Sequence, residues 1–423
     1  MGILVGLAFV VLFLLGFPVV IAMALPAALY IVMQGFPIDV IAQRLVFSID
    51  SFTLVAIPVF IMAGNLMNSA GITTRIFSFA NIVVGRISGG LAQVNIFASL
   101  IFAGMSGAAL ADVGGLGRIE IKALREQGFS AAFAAAVTAA SATIGPIFPP
   151  SIILIIYGAV TNTSIVSLLL AGIIPALLCV VMLMITVAIL AKVRKFPRAE
   201  RWPTRQEVVQ GGGSALPALL APVFLVGGML TGWFTPTEAA SVVVVYIIAI
   251  SALIYRDLSW AHLLTSAVDT VKASGAILII VAAAQLLGWV FTMEQVPQIF
   301  ASSVLPDTTN VLLLLLALNV ILLIAGMFLD AGVVVLLIMP IVAPPMIAAG
   351  VDPVHLGIVS VFNVVLGLVT PPMGLSLFLI GDIAKVPMSR LVRELLPFYV
   401  PLFVTLALIT YFPALSLWLP GLR

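Results

Sequence analysis

Two short stretches carry residue types that can do chemistry in an otherwise greasy chain: IGPIFPPS at 144–151 and LGLVTPPM at 366–373. Each sets a glycine and a proline pair inside an apolar run that would otherwise make a membrane helix. Proline has no backbone N–H and disrupts the helical turn before it. Pro146, Pro149 and Pro150 therefore free carbonyls near Thr143 to Phe148, and Pro371 and Pro372 do so near Gly367 to Thr370. In hydrocarbon an unpaired backbone group is costly, so such a break persists only where it is buried in protein or lines a polar cavity. Freed carbonyls are hard oxygen ligands for a small cation, and the N-terminal end of the half-helix that follows favours an anion. Each break can thus serve a sodium ion and a carboxylate substrate, with Pro149, Pro150, Pro371 and Pro372 at the substrate-binding positions.

Two carboxylates accompany the breaks. Asp112 closes AGMSGAALAD and Asp330 closes AGMFLD. An ionisable residue within a membrane segment is a functional candidate by default, because burying its charge is expensive. Each aspartate can supply a carboxylate to an ion site completed by the neighbouring break, directly or by fixing the loop. Helix capping at a hairpin tip is a compatible second reading. Other polar residues point to structure. His262 and His355 are solitary, which argues against metal ligation; Glu238 follows Pro236 as ordinary helix-start chemistry. Asn65, Asn95, Asn319 and Asn363 suit bridging between helices. The single cysteine, Cys179, allows no disulfide, zinc site or redox pair within one chain. No nucleotide loop, nucleophile elbow or His/Glu pair is present, so neither an enzyme, an organic cofactor nor nucleic-acid binding is expected.

The elements that must position these residues are membrane helices. Of 423 residues, 63% are hydrophobic and 8% charged, which excludes a soluble globule and indicates an all-α polytopic membrane protein. The N-terminal run has no basic flank or cleavage site, so it reads as a retained segment. Stretches long enough to cross lie at 3–33, 52–68, 129–160, 165–191, 216–232, 236–254, 273–292, 354–381 and 396–418. Together with the breaks they suggest some 10 to 12 helices, although 3–33 reads as one long span or two short ones. Residues 89–125 and 308–350 are each split near the middle, as expected of re-entrant hairpins whose halves are too short to cross. Residues 36–50 and 256–272 mix charge with apolar residues and suit interfacial helices.

Lysine and arginine mark the cytoplasmic side. Lys192, Arg194, Lys195, Arg198, Arg201 and Arg205 anchor a central loop there, and Arg86, Arg118, Lys122 and Arg125 flank the first hairpin. The second hairpin, flanked by Asp307 and Asp352, enters from outside. Four landmarks recur 222 residues apart: Ala103 with Ala325, Gly145 with Gly367, Pro149 with Pro371 and Pro175 with Pro397. The chain therefore divides into a first repeat at 1–195 (hairpin 89–125, broken helix 129–160), a cytoplasmic linker at 196–214 and an inverted second repeat at 215–423 (hairpin 308–350, broken helix 354–381). Inverted repeats with paired broken segments indicate a secondary transporter.

AIPVFIMAGNLMNSAGI (56–72), GRISGGLAQVNIFASLIFAGMSGAALADVGGLG (85–117), ATIGPIFPPSI (142–152), GWFTPTEAA (232–240) and LGLVTPPMGLSLF (366–378) resemble the large membrane subunit of tripartite ATP-independent periplasmic (TRAP) transporters, the DctM-like component. The resemblance covers nearly the whole chain. It implies an elevator-type ion-transporter fold in the bacterial inner membrane and sodium-coupled uptake of an organic acid, such as a C4-dicarboxylate or a sialic acid. It also implies two partners, a small four-helix membrane subunit (DctQ-like), expected as a separate chain, and a periplasmic binding protein (DctP-like). Carried over by position, one sodium site would use Ser106, Gly107 and Asp112 with Gly145 and Phe148; the other would use Gly326 and Asp330 with Gly367 and Thr370. Phe328 and Leu329 stand where the first half has Ser106 and Gly107, so the second tip offers no matching hydroxyl. A stand-alone sodium/carboxylate symporter or ion antiporter of related architecture is the alternative.

Overall fold

The computed structural model describes residues 1–107, 109–196, 204–303 and 310–422, with the side chains of Met105, Ser106, Leu110, Ala111, Ala301 and Ser303 excepted. Arg198, Arg201 and Asp307, on which the charge pattern partly rests, lie outside the described residues. Everything regular among the described residues is helical. The run at 3–33 is two helices, α1 (Gly2–Leu14) and α2 (Val19–Met33). Gly16, at φ +86°, and Pro18 make the turn between them. Then come α3 (Asp39–Ile49), which buries none of its side chains as expected of an interfacial helix, α4 (Ala56–Ser69) and α5 (Ile72–Val84). The span list above lacks α5, because Thr73, Thr74 and Arg75 dilute its apolar character.

The first hairpin is α6 (Leu91–Ser106), α7 (Ala109–Gly114) and α8 (Leu116–Glu126). The first broken helix follows as α9 (Ala131–Ser141), a tighter turn to Ile144, the open segment 145–151 and α10 (Ile152–Thr161). A short α11 (Ile165–Ala171) and the long α12 (Ile173–Arg194) complete the half. The second half runs through α13 (Arg205–Leu230), α14 (Pro236–Ala249), α15 (Trp260–Met293) and α16 (Val296–Ser303). Its hairpin is α17 (Val311–Phe328) and α18 (Ala331–Ala348); its broken helix is α19 (Pro353–Leu368) and α20 (Leu375–Ala384), and α21 (Met388–Tyr411) follows.

Three expectations change. Residues 205–214, read as linker, are the first turns of α13: Thr204 and Glu207 form a reciprocal cap that starts the helix early. Gly211 is tolerated there because a Cβ would sit 2.1 Å from Ile82 of α5, so the missing side chain lets two helices close. Residues 256–272 are mostly the first half of the 34-residue α15. Their hydroxyls turn inward, with Asn65 Nδ2 donating to Thr270 Oγ1 at 3.1 Å and Ser69 and Ser266 hydroxyls 3.0 Å apart. Finally, α17 and α18 have 18 residues each and qualify by length and apolarity as spans, as do six other helices. What makes the pair a hairpin is the sharp reversal at Leu329 and Asp330.

The broken helices form the centre. From Phe133 to Ser141, α9 is buried at every residue, and α19 is buried from His355 to Leu368. A helix buried all round belongs to the interior of a bundle. α9 packs against α6, α8, α20 and α21; α19 packs against α10, α11, α17 and α18. The second half-helices exchange partners: α10 leans on α18, and α20 on α7 and α8. Around this centre α15 packs on α2, α3 and α4, α14 on α4, and α13 on α5. Leu14, Val193, Leu253 and Val271 point outward and are largely exposed, as lipid-facing side chains are.

Amides tie the centre together, as expected from the sequence. Asn363 Nδ2 donates to Asn319 O at 2.9 Å and Oδ1 at 2.6 Å, and Asn319 Nδ2 donates to Thr410 Oγ1 at 3.0 Å, linking α17, α19 and α21. His355 is a buried core histidine whose Nδ1 lies 2.9 Å from Ser416 Oγ. Asn363→Leu removes the central donor and is expected to destabilise the detergent-solubilised protein by about 1 kcal/mol, read as a lower thermal midpoint; an unchanged midpoint would mean the clamp contributes nothing.

Candidate ion and substrate site

At the first hairpin the chain passes from α6 to α7 through Gly107, at φ +63°. A Cβ there would meet Pro150 O at 2.2 Å, so glycine lets the hairpin tip lie on the break itself. The contact is completed by Ile152 N–H donating to Gly107 O at 3.4 Å. Phe148 is half-buried, its ring 3.2 Å from where a Cβ on Gly104 would stand. Inside the break the prolines deny i+4 donors to the carbonyls of Ala142, Gly145 and Pro146. Ser151 covers the last of these: its Oγ donates to Pro146 O and accepts from Leu154 N, capping α10. The Gly145 carbonyl has lost its donor to Pro149. The Pro149–Pro150 and Pro371–Pro372 peptide bonds are both cis.

The second junction is built the same way. A Cβ on Gly326 would lie 2.6 Å from Val364 O, and one on Gly367 would lie 2.5 Å from the Gly326 backbone, so two glycines press backbone on backbone. Gly374, at φ +54°, caps α20 and donates its N–H to Met327 O at 2.9 Å. Thr370 N–H takes over the Gly367 carbonyl at 2.9 Å, and the Thr370 hydroxyl donates to Leu366 O at 2.7 Å.

The two aspartates differ. Asp330 caps α18, accepting from Gly332 N at 2.9 Å. Asp112 is not a tip cap: it sits inside the six-residue α7, at the end of its first turn, 2% exposed, and neither carboxylate oxygen has a partner among the described residues. α7, which carries this carboxylate, packs on the 142–144 turn that leads into the first break. The structure thus brings Gly107 to the Pro149–Pro150 break and Gly326 to Gly367, while the Ser106 side chain and Ala108 lie outside the described residues. Asp330 faces a cavity of about 360 Å³ lined also by Ala109 of the first tip, Ile152 at the start of α10, Ile277 of α15 and Leu368 at the second break. Both hairpin tips and the helix ends that flank the two breaks therefore meet at one cavity.

Comparison with known proteins places this arrangement. The family described as "Tripartite ATP-independent periplasmic transporter, DctM component" matches residues 6–415. The chain belongs to that family. It is a TRAP large permease subunit, a multi-pass protein of the bacterial inner membrane. It is similar to the sialic acid TRAP transporter large permease protein SiaM of Vibrio cholerae, 42% identical over 96% of this chain and 95% of that protein. It is also similar to the C4-dicarboxylate TRAP transporter large permease protein DctM of Pseudomonas aeruginosa, 38% identical over 90% and 89% of the two chains. In fold it matches the crystal structure of the YdaH transporter of Alcanivorax borkumensis, with a TM-score of 0.60 and 14% identity over 90% of this chain and 89% of that one.

One buried group of this TRAP subunit has no place in the sequence reading. Glu120 of α8 is fully buried, its Oε2 accepting from Asn95 Nδ2 at 2.7 Å. In the sequence the charged run RIEIKALRE masks it. The signal was helical phase: Leu116, Gly117, Glu120, Ile121 and Leu124 share the buried face of α8. For the tip contact, Gly107→Ala forces a Cβ into Pro150 O and a left-handed backbone costing about 1–2 kcal/mol. A lowered thermal midpoint together with loss of uptake is the expected outcome; wild-type behaviour in both would mean the tip does not rest on the break.

Proposed function

We propose that this subunit couples sodium entry to the uptake of an organic acid carried to it by a periplasmic binding protein, with a small four-helix membrane subunit as its second partner. The single observation that carries the reading is the convergence of two hairpin tips and the helix ends beside two proline breaks on one cavity of about 360 Å³, within the range of small-ligand pockets, about 300–1,000 Å³. The names of the similar proteins, for sialic acid and for C4-dicarboxylates, support a carboxylate substrate.

The electrostatics of the cavity supply a reason for coupling. Its walls are mostly apolar and its charged group is Asp330, which repels a carboxylate. A sodium ion beside Asp330, held with backbone oxygens of Gly326, Gly367 and Thr370, offsets that repulsion. A second at Asp112, with Gly107, Gly145 and Phe148 carbonyls and Ser106, fixes the first tip on its break. Substrate and sodium then favour each other's binding, and the favour is reciprocal by linkage. The N-terminal end of α10, at Ile152, turns its partial positive charge toward the acid beside Pro149 and Pro150, and α20 turns its own beside Pro371 and Pro372. The two halves at 1–195 and 215–423, related by the 222-residue recurrence, act as inverted repeats, and the four tip-and-break segments move together past α15 as an elevator. The recurrence of α9 and α10 as α19 and α20, with exchanged partners, supports this division.

The test is uptake into proteoliposomes. Transport is expected only when binding protein, small subunit and an inward sodium gradient are all supplied; uptake by this chain alone would point to a stand-alone symporter. Asp112→Ala is expected to reduce sodium-driven uptake to background. Pro149→Ala with Pro150→Ala restores donors to the break and is expected to stop transport, whereas normal uptake would make the prolines a packing kink.

A further inference from the structure

Glu120 is a buried carboxylate that the mechanism above leaves unused. Among the described residues, it and Asp112 are the only carboxylates so deeply buried, and no lysine or arginine is buried. The two interact electrostatically, and the Ser99 hydroxyl lies beside both. Three of their four oxygens, Asp112 Oδ1 and Oδ2 and Glu120 Oε1, have no hydrogen-bond donor among the described residues. Left so, two anions in a low-dielectric interior cost several kcal/mol each.

The neighbours commit nearly all their protons elsewhere, and the Thr138 hydroxyl alone is left to turn toward Glu120. Ser99 Oγ donates to Ser141 Oγ at 3.0 Å. Ser141 Oγ divides its proton between Asn95 Oδ1 at 2.9 Å and Thr138 O at 3.2 Å. Asn95 Nδ2 spends its two on Glu120 Oε2 and Thr138 Oγ1, both at 2.7 Å. A hydroxyl has one proton and two lone pairs, so the donor chain runs away from the carboxylates and leaves Ser99 lone pairs facing them. Apart from that hydroxyl, oxygen thus meets oxygen, with Asp112 Oδ1 and Oδ2 and Glu120 Oε1 left without a donor among the described residues. All the donors are hard oxygens, from carboxylate and hydroxyl groups, which suit a hard cation and not a soft metal. In the second half Val334 and Val342 stand 222 residues from Asp112 and Glu120, and Asn363 from Ser141. There two neutral amides do the clamping and no charge needs an ion.

We propose that Glu120 Oε1, the Asp112 carboxylate and Ser99 Oγ, with Thr138 at the edge, form a further sodium site within the first hairpin, beyond the ions at the two tip–break junctions. It rests on the reading of the subunit as sodium-coupled, and extends it: the ion ties α8 to α6 and α7, holding the hairpin's two arms closed. Glu120 is its defining ligand.

The test is equilibrium binding of radiolabelled sodium to the purified full chain in detergent, in a potassium background and without organic acid. Wild type is compared with Glu120→Gln, which keeps an acceptor for Asn95, and with Asp112→Asn. Glu120→Gln is expected to bind one sodium ion fewer per chain, and Asp112→Asn to lose that ion and the junction ion with it. An unchanged sodium count and affinity in Glu120→Gln, with binding reduced in Asp112→Asn, would overturn this site and leave sodium coupling standing. No sodium binding by wild type would overturn both. Should Glu120→Gln fail to fold, Ser99→Ala leaves both carboxylates in place and must weaken the binding of one ion several-fold; unaltered binding there would equally overturn the site.

Discussion

Every backbone N–H and C=O within the hydrocarbon must find its partner inside the protein, and the prolines at 146, 149, 150, 371 and 372 break that rule in the middle of two helices. The rest of the fold answers to those breaks. α9 and α19 are buried along their length because a break cannot face lipid. Glycines stand at 107, 326 and 367 because a hairpin tip must reach backbone with backbone. Hydroxyls fill in where geometry leaves an acceptor exposed: Ser151 on Pro146 O, Thr370 on Leu366 O, and Tyr399 on Val369 O at 2.7 Å.

The two halves meet the requirement with different chemistry. In the second, the hairpin is joined to its broken helix by Asn319 and Asn363, neutral groups that need only each other. In the first, the same helix faces carry Asn95, Ser99, Thr138 and Ser141, and the hairpin adds Asp112 and Glu120. Neutral amides make a permanent clamp. Buried carboxylates make a conditional one, whose strength depends on what positive charge is present. Related scaffolds thus yield one arm held by neutral amides and one that carries buried carboxylates.

Much of this was legible in the sequence because it rests on local rules. Proline breaks, the doubled AGM and PP landmarks and the membrane-length runs need no tertiary knowledge, and the hairpin reversals at Gly107 and at Leu329–Asp330 fall where small and polar residues interrupt the apolar pattern. What escaped depended on neighbours. α5 was lost because Thr73 to Arg75 looked polar until packing on α6 and α13 took up its apolar face. The start of α13 was hidden by three glycines, whose purpose at Gly211 is contact with Ile82. Residues 256–272 read as interfacial because their hydroxyls had no visible partners; Asn65 and Ser69 supply them from 205 and 197 residues away. Glu120 was concealed by the charged residues that flank it and revealed only by the phase of its helix. Packing decides such cases, and hydropathy averages over it.

The exchange of partners between the half-helices also has a consequence in time. α10 rests on α18, and 170 residues separate the end of one from the start of the other. At a synthesis rate of about 5–20 residues per second, the ribosome needs roughly 10–35 s to deliver that partner. Through that interval the first break is already made, its N–H groups and carbonyls freed, in a membrane that cannot satisfy them. What is present to hold it is the hairpin made just before: Gly107 O receiving the Ile152 N–H, and Ser151 folded back on Pro146. The tip contact is therefore an early brace as well as part of a finished site, and the order of the elements along the chain, hairpin before break in both halves, is the order in which a nascent membrane protein needs them.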